Sequence, residues 1–536
     1  MPKTFFITTA IDYTNSAPHI GHAYEKVLAD VIARYQRLKG DKVFFLTGVD
    51  QHGQKVQQSA AKEGVAPEEF VRSTTLKFKD LWKKLEVEYD DWAETIDPRH
   101  KKVVQGMLQR LFDQSQIYKD KQSGYYSVRQ EQFLTDKERA LDGEFGPEWG
   151  EVEFREEENY YFKLERHKQW LLELIDKRSR IEKPFAIPDF RETELRNAVK
   201  TLSGDLCISR PKSRLSWGIE LPFDRDYVNY VWFDALSNYI SFAGYDPTID
   251  KYENQPKEFL EKWPALQIIG KDILIPAHGI YWPIMLHAVG FPDEAMPQLL
   301  VHGWWNLGGA KMSKSAGNIV DPNALADKYG TEAVRYYLMS VDTGQDADFR
   351  EGFLVSEFNV DLANTLGNLV NRTLNMIHRF RSGRINPIDL TTLPESEIRS
   401  HLETWSNREF EDGRTFYREK FDRFRPGNAF SAPLRHTLAC NALVEISAPW
   451  NLAKEHQQEK LLDAVLYHLA ESLRVIAIWI SPLLPRGAHG IFDQLNWKME
   501  LSGKESRFRL EDAKWGGLPD GHVVGKPVPL FPRIET

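Results

Sequence analysis

The chain has 536 residues, with 69 Lys and Arg against 78 Asp and Glu, a net charge of −9 at neutral pH. With 42% apolar and 27% charged residues it has the composition of a globular chain of several domains, which excludes a disordered or fibrous one. Its two cysteines exclude a disulfide framework and a four-cysteine metal site, and the acidic balance argues against non-specific nucleic-acid binding and against DNA as a partner.

No apolar run approaches the ~18 residues that a membrane helix needs. Residues Met1 to Ala10 lack the charged-then-apolar layout of a signal peptide and read as a first strand. The expectation is a cytoplasmic chain without a membrane partner.

Residues 4–10 and Val43 to Val49 read as strands, and His19 to Leu38 between them as a helix, with Val27, Leu28, Val31, Ile32 and Tyr35 on one apolar face. Strand, helix, strand is the unit of a parallel sheet with right-handed crossovers. Leu266 to Ile269 and Leu299 to His302 read as further short buried strands, with a helix from about His278 to Val289 between them. The stretch between the two halves, rich in aromatics, charge and turns, reads as an insertion. From residue 356 glycine becomes scarce and helical periods dominate: Leu462, Val465, Leu466, Leu469, Leu473 and Ile476 form one face, ended by Ser481-Pro482, and residues 381–396 read as a loop between helices.

The fold class expected is an α/β Rossmann-type parallel-sheet catalytic domain split by a small mixed insertion and followed by an all-α helical bundle. The divisions are 1–115 for the first catalytic half, 116–225 for the insertion, 226–340 for the second half, 341–355 for a linker and 356–536 for the helical domain.

Two motifs carry chemistry. His19-Ile20-Gly21-His22 follows the first strand and opens the helix. Two imidazoles three apart share a helix face, Gly21 lets a ligand approach the backbone, and the helix start supplies unpaired N–H groups and a positive dipole end. These suit a triphosphate, above all the charge that builds at an α-phosphate during displacement. The bland reading is two surface histidines at a cap. The second motif, Lys311-Met312-Ser313-Lys314-Ser315, follows Gly308-Gly309, and its lysines can close over a departing pyrophosphate. The motifs are far apart in sequence, and the carboxyl ends of the strands in an open α/β sheet are where a fold unites them.

These motifs, in this order, resemble the HIGH and KMSKS signatures of class I aminoacyl-tRNA synthetases. The chain is similar, more narrowly, to the methionyl-tRNA synthetases over nearly its whole length. The likeness includes Thr9 to Asn15, Gly48 to Gly53, Tyr230 to Tyr239, Ile269-Gly-Lys-Asp-Ile273, Trp282-Pro283 and Ala448-Pro-Trp450.

The resemblance implies a methionine–tRNA ligase that forms methionyl-adenylate from L-methionine and ATP and then charges tRNA(Met). It gives His19, Gly21 and His22, with Lys311, Ser313, Lys314 and Ser315, to ATP, with His19, His22, Lys311 and Lys314 catalytic and Mg²⁺ travelling with ATP. It gives Ile11, Tyr13, Asp50, Trp232, Ala235, Leu236, Tyr239, Ile273, His278 and Trp282 to methionine. Asp50 pairs with the ammonium, and His278 or Tyr13 donates to the sulfur. His278 stands one residue later than in most members, with Pro276-Ala277 inside the turn, so a slightly different placement of Ile273 and His278 is expected. Asn368, Arg372 and Trp450 read the anticodon by amide edges, guanidinium and stacking. The linker 341–355 becomes a stem contact.

Many relatives carry cysteine pairs for zinc in the insertion. Here only Cys207 falls within it, so a metal-free knuckle without structural zinc is expected. The chain ends near Pro532-Arg533, which implies a form without the appended C-terminal tRNA-binding barrel, and a monomer. Two rival readings stand beside this one: another ligase of the same branch, such as the cysteinyl one, and an inactive tRNA-binding paralogue. The aromatic slot and the lack of zinc-ligating cysteines argue against the first, and the intact signatures against the second.

Overall fold

The computed structural model describes residues 3–127, 132–134, 139, 142–181, 183–312 and 319–535. Its catalytic part is built on a seven-stranded sheet, parallel throughout. In chain order the strands are β1 (Phe5–Thr9), β2 (Asp12–Tyr13), β3 (Val43–Asp50), β4 (Asp91–Glu94), β5 (Ala186–Ile187), β6 (Leu266–Gly270) and β7 (Gln298–His302). The spatial order is β2-β3-β1-β6-β7-β5, with β4 also paired to β3. From β1 the chain proceeds to β3 on one side, while β6 and β7 lie on the other. The crevice at the carboxyl ends of β1 and β6 is therefore the topological switch point where such sheets bind ligands.

Helix α1 (Ile20–Lys39) crosses from β1 to β3. Its expected apolar face, from Val27 to Tyr35, is buried, but so is every residue from Ala23 to Gln36, Glu25, Lys26, Asp30 and Arg34 included. The periodicity saw one face because α1 packs on the sheet. The opposite face is covered by the helical region, where Tyr35 stacks on Phe421 with ring centroids 4.0 Å apart. Asp30 is held there by two guanidiniums, Arg34 at 2.8 Å and the fully buried Arg335 at 2.7 Å.

Within 116–225, strands Ile117–Ser127, Gln132–Leu134, Val152–Phe162 and Leu206–Cys207 form a separate antiparallel sheet. The stretch is not a continuous insertion, however. Strand β5 lies inside it and pairs with β7 of the catalytic sheet, Leu299 opposite Ala186 and Leu300 opposite Ile187. A two-residue strand among turns leaves no alternation for sequence reasoning to find.

The knuckle sheet is fastened by an aromatic and cation cluster. Tyr126 is fully buried, the guanidiniums of Arg155 and Arg214 each lie 4.6 Å from its ring centroid, and Arg214 donates to its hydroxyl at 3.0 Å and to both Glu157 oxygens at 2.9 Å. Among the described residues no group of three or more His, Cys, Asp or Glu side chains gathers as metal ligands. Cys207 is half-buried and Cys440 is buried, both as free thiols.

The C-terminal region is helical. The helix Glu459–Ile480 has only Glu459, Lys460 and Asp463 outside its buried set, so the face seen in the sequence is one side of a helix covered all round. The loop expected at 381–396 contains a short strand, Arg384–Ile385, paired with His522–Val523 from near the end of the chain. No helix among the described residues is long and apolar enough to cross a membrane.

Candidate active site

His19 is the N-cap of α1, and its ring folds back so that Nδ1 accepts the Gly21 N–H at 3.1 Å. His22, at the third helical position, accepts the His19 backbone N–H on its own Nδ1 at 3.1 Å. The pair thus completes a capping box with imidazoles in place of hydroxyl and carboxylate. Because both Nδ1 atoms accept, the proton of each neutral ring resides on Nε2. The helix start therefore presents two imidazole N–H donors, with ring centroids 3.9 Å apart. Gly21 has a local reason as well: a Cβ there would meet His19 Cε1 at 3.0 Å.

Both histidines open onto a cavity of about 400 Å³ at the switch point. Of the residues expected around the amino acid, Ile11, Tyr13, Asp50, Trp232, Ala235, Leu236, Tyr239, Ile273 and His278 all line it. They come from the loop after β1, the strand β2, the end of β3, the helix α2 (Val231–Leu236) with its continuation, and the turn after β6. Trp282 does not line the cavity. It is fully buried behind Tyr239, with ring centroids 5.9 Å apart. Tyr13 reaches across Gly53, where φ is +105° and a Cβ would meet the tyrosine hydroxyl at 2.6 Å.

His278 lies within a widened i to i+5 turn over Leu274–Tyr281, in which its N–H bonds the Ile273 carbonyl at 3.1 Å and Ile275 leaves the helical conformation. Such a turn absorbs an extra residue. The ring is locked: Nδ1 donates to the Ile273 carbonyl at 3.0 Å, so Nε2 accepts from the Tyr239 hydroxyl at 2.7 Å. Burial pushes its pKa down to about 4, and burial likewise holds the Tyr239 hydroxyl well above its ordinary value. The expectation that His278 donates to a sulfur is corrected, since its one N–H is committed to backbone.

Sequence reasoning missed a second set of lining residues: Asp12, Glu25, Lys55, Asp272, His302 and Trp304. Asp272 lay inside the Gly-Lys-Asp run, and His302 ends a strand recognised from sequence, so strand ends were the available signal. Asp12 and Glu25 converge on the buried Lys26 ammonium, at 2.5 Å and 2.9 Å. Burial pushes Asp12 up to about 7 against the pull of Lys26, with Glu25 adding to the rise. For Glu25 burial works upward too, but Lys26 and His302 outweigh it and hold its carboxyl below the usual range. Asp234 of α2 is likewise buried, between His52 and His100.

Lys311 ends the short strand Ala310–Lys311, whose partner strand Trp305–Leu307 follows β7 closely. Met312 lines the cavity, so the second motif starts at the same site as the first. Ser313, Lys314 and Ser315 lie outside the described residues. In the helical region, Asn368 opens the helix Asn368–Arg381 and is exposed, and Arg372 one turn on pairs with Glu445 at 2.7 Å. Trp450 is 39% exposed in the turn of helix that follows Ser431–Ser447, the helix bearing Glu445, which argues against core packing as its role.

The model of the family "tRNA synthetases class I (M)" matches residues 5–144 and 149–374. The chain belongs to this family. It is 37% identical to the methionine–tRNA ligase of Lactococcus lactis over 100% of this chain and 78% of that protein. It is 39% identical to that of Deinococcus radiodurans, over 99% and 75%. Among solved structures, Mycobacterium tuberculosis methionyl-tRNA synthetase in complex with methionyl-adenylate superposes with a TM-score of 0.87 at 34% identity, covering 99% of this chain and 100% of that one. Its apo form gives 0.82 at 31% identity, covering 100% and 99%.

Proposed function

We infer that this chain is a methionine–tRNA ligase. The observation that carries the reading is the convergence of the two imidazole donors of His19 and His22 with Asp50 and the aromatic slot on one cavity. The relatives named above are ligases of that activity, and one is a complex with methionyl-adenylate.

In the reaction a carboxylate oxygen of methionine attacks the α-phosphorus of ATP, and the bond to the bridging oxygen of pyrophosphate breaks. The Asp50 carboxylate takes the methionine ammonium, with the Ile11 backbone as a second contact. Tyr13, Trp232, Ala235, Leu236, Tyr239 and Ile273 enclose the side chain, a lining that suits a polarisable thioether. Trp282 supports Tyr239 from behind. Held this way, the carboxylate faces the start of α1, and the reaction becomes effectively unimolecular.

Negative charge grows on the α-phosphate oxygens, where the Nε2–H groups of His19 and His22 and the helix dipole meet it without reorganisation. Lys311 and Lys314 neutralise the β- and γ-phosphates as pyrophosphate departs, with Ser313 and Ser315 holding their loop. The described residues gather no cluster of three or more metal-ligating side chains, so Mg²⁺ bound with ATP would be held largely by phosphate oxygens and water and would offset phosphate charge. In the second step a terminal ribose hydroxyl of tRNA(Met) attacks the methionyl carbonyl and AMP leaves. Asn368, Arg372 and Trp450 bind the anticodon, and the chain works as a cytoplasmic monomer without structural zinc.

The test is amino-acid-dependent exchange of pyrophosphate into ATP, with methionine, cysteine, leucine, isoleucine and valine in parallel. Exchange with methionine alone is expected. No exchange from folded protein would overturn the reading in favour of an inactive tRNA-binding paralogue.

A further inference from the structure

Four charged or titratable side chains form a continuous buried chain beneath the cavity. Asp12 stands on β2, on the side of the cavity that holds Asp50. Its Oδ1 accepts from Lys26 Nζ at 2.5 Å. Lys26 is fully buried in the second turn of α1, and it also donates to the Ala10 carbonyl at 3.1 Å and to Glu25 Oε1 at 2.9 Å. Glu25 Oε2 meets Nε2 of His302 at 3.1 Å, and His302 Nδ1 donates to the Gly303 carbonyl at 2.7 Å. His302 closes β7 directly opposite Gly270, the last residue of β6.

Three members, Asp12, Glu25 and His302, line the cavity, while Lys26 does not. Lys26 therefore does not line the cavity, yet through its two carboxylate partners it joins the methionine side of the crevice to the far side at β7. It also lies one helical turn beyond His22, on the same face of α1. Removing its charge would leave two buried carboxylates facing each other in the cavity wall, the arrangement in which losing one partner of a buried set does most damage.

We propose that Lys26 is a positioning residue for adenylate formation: it ties α1 to the end of β1 and to Asp12 on one side and, through Glu25, to His302 on the other, and so fixes where His19 and His22 meet the α-phosphate. The alternation of acid, base, acid and base lets four such groups share one buried layer, because each carboxylate has a basic neighbour. Asp12 Oδ2 is buried with no hydrogen-bond partner among the described residues, and Oδ1 accepts from Lys26, so the ammonium orients that carboxylate. A neutral side chain at either position keeps the layer filled but loses the pin. The consequence falls on kcat more than on substrate binding, since the donors must sit at the oxygens of the transition state and a misplacement of about 1 Å costs on the order of 100-fold.

The proposal rests on the ligase reading, and its test separates the two. Pyrophosphate exchange is measured for wild type, Lys26→Met and the double variant Asp12→Asn/Lys26→Met, with kcat and both KM values, and each variant's thermal unfolding is followed by circular dichroism. The single variant leaves carboxylates uncompensated and is expected to melt lower. The double variant restores charge balance and is expected to melt near wild type, while its kcat stays about 100-fold down and its KM for ATP and for methionine moves by less than about threefold. A merely structural Lys26 would give a double variant whose kcat returns with its stability. A kcat within about threefold of wild type in the folded double variant would overturn the proposal alone. A folded wild type with no exchange would overturn the ligase reading, and the proposal with it.

Discussion

The carboxylate of Asp234 accepts a hydrogen bond from Nδ1 of His52, 2.7 Å away and 182 residues earlier in the chain. Its other oxygen meets Nε2 of His100 at 2.6 Å. Asp234 belongs to the helix that carries Trp232, Ala235 and Leu236, and His52 follows the strand that ends in Asp50. The contact therefore bolts the apolar wall of the slot to its carboxylate end. Burial alone would raise the pKa of Asp234, but the two imidazoles overrule it and hold it down to about 2.

Asp234→Asn is expected to destabilise the fold by about 3–5 kcal/mol, the cost of breaking a buried ionic set on one side. It should also raise KM for methionine more than KM for ATP. Chemical denaturation and exchange kinetics check the two parts.

Tyr239→Phe removes the hydroxyl that donates to His278 Nε2 at 2.7 Å, and leaves that buried acceptor without its partner. A loss of about 1–3 kcal/mol in stability is expected, with weaker methionine binding. Urea denaturation with and without methionine reads both.

Acid should weaken the fold before it protonates most carboxylates. Burial lowers the pKa of His278 and of His167 from 6.5 to about 4, so the unfolded chain binds protons there that the folded chain refuses. Their stabilising contribution is complete above pH 6.5 and is lost as pH falls towards 4, by at most about 1.4 kcal/mol per histidine per pH unit. The urea midpoint should fall steadily from pH 7 to pH 5, and a His278→Gln variant should show a shallower slope.

Lys314→Ala should lower kcat of pyrophosphate exchange by about 100-fold or more while leaving the melting temperature unchanged, as expected of a group that acts on transition-state charge. A normal rate would remove its assigned role.

Trp450→Ala should spare exchange and weaken charging of tRNA(Met), since stacking on one base contributes about 1–3 kcal/mol. Arg372→Ala frees Glu445 from its 2.7 Å partner and should act in the same direction. Equal loss in both assays would make Trp450 a structural residue.

Elemental analysis of the purified chain should find no stoichiometric zinc, and chelator should leave its melting temperature unchanged. Tyr126→Ala should instead loosen the knuckle, because Arg155 and Arg214 lie against that ring.

The sequence by itself determined the local chemistry. A strand followed by His19-Ile20-Gly21-His22 specifies a helix start with anion-binding character, because caps and dipoles depend on neighbours in the chain. Apolar periods likewise located the helices and buried strands, and nine of the ten residues expected around the amino acid line the cavity. What only the tertiary structure decided depends on partners distant in sequence. Trp282 lies behind the slot rather than in it. Ala186–Ile187 joins the catalytic sheet from inside the apparent insertion. Above all, Asp12, Glu25, Lys26 and His302 look in the sequence like ordinary surface charges and a strand-end histidine. They become one buried chain because α1 is covered on both sides, and a charge excluded from water must find its opposite wherever the fold brings one within reach.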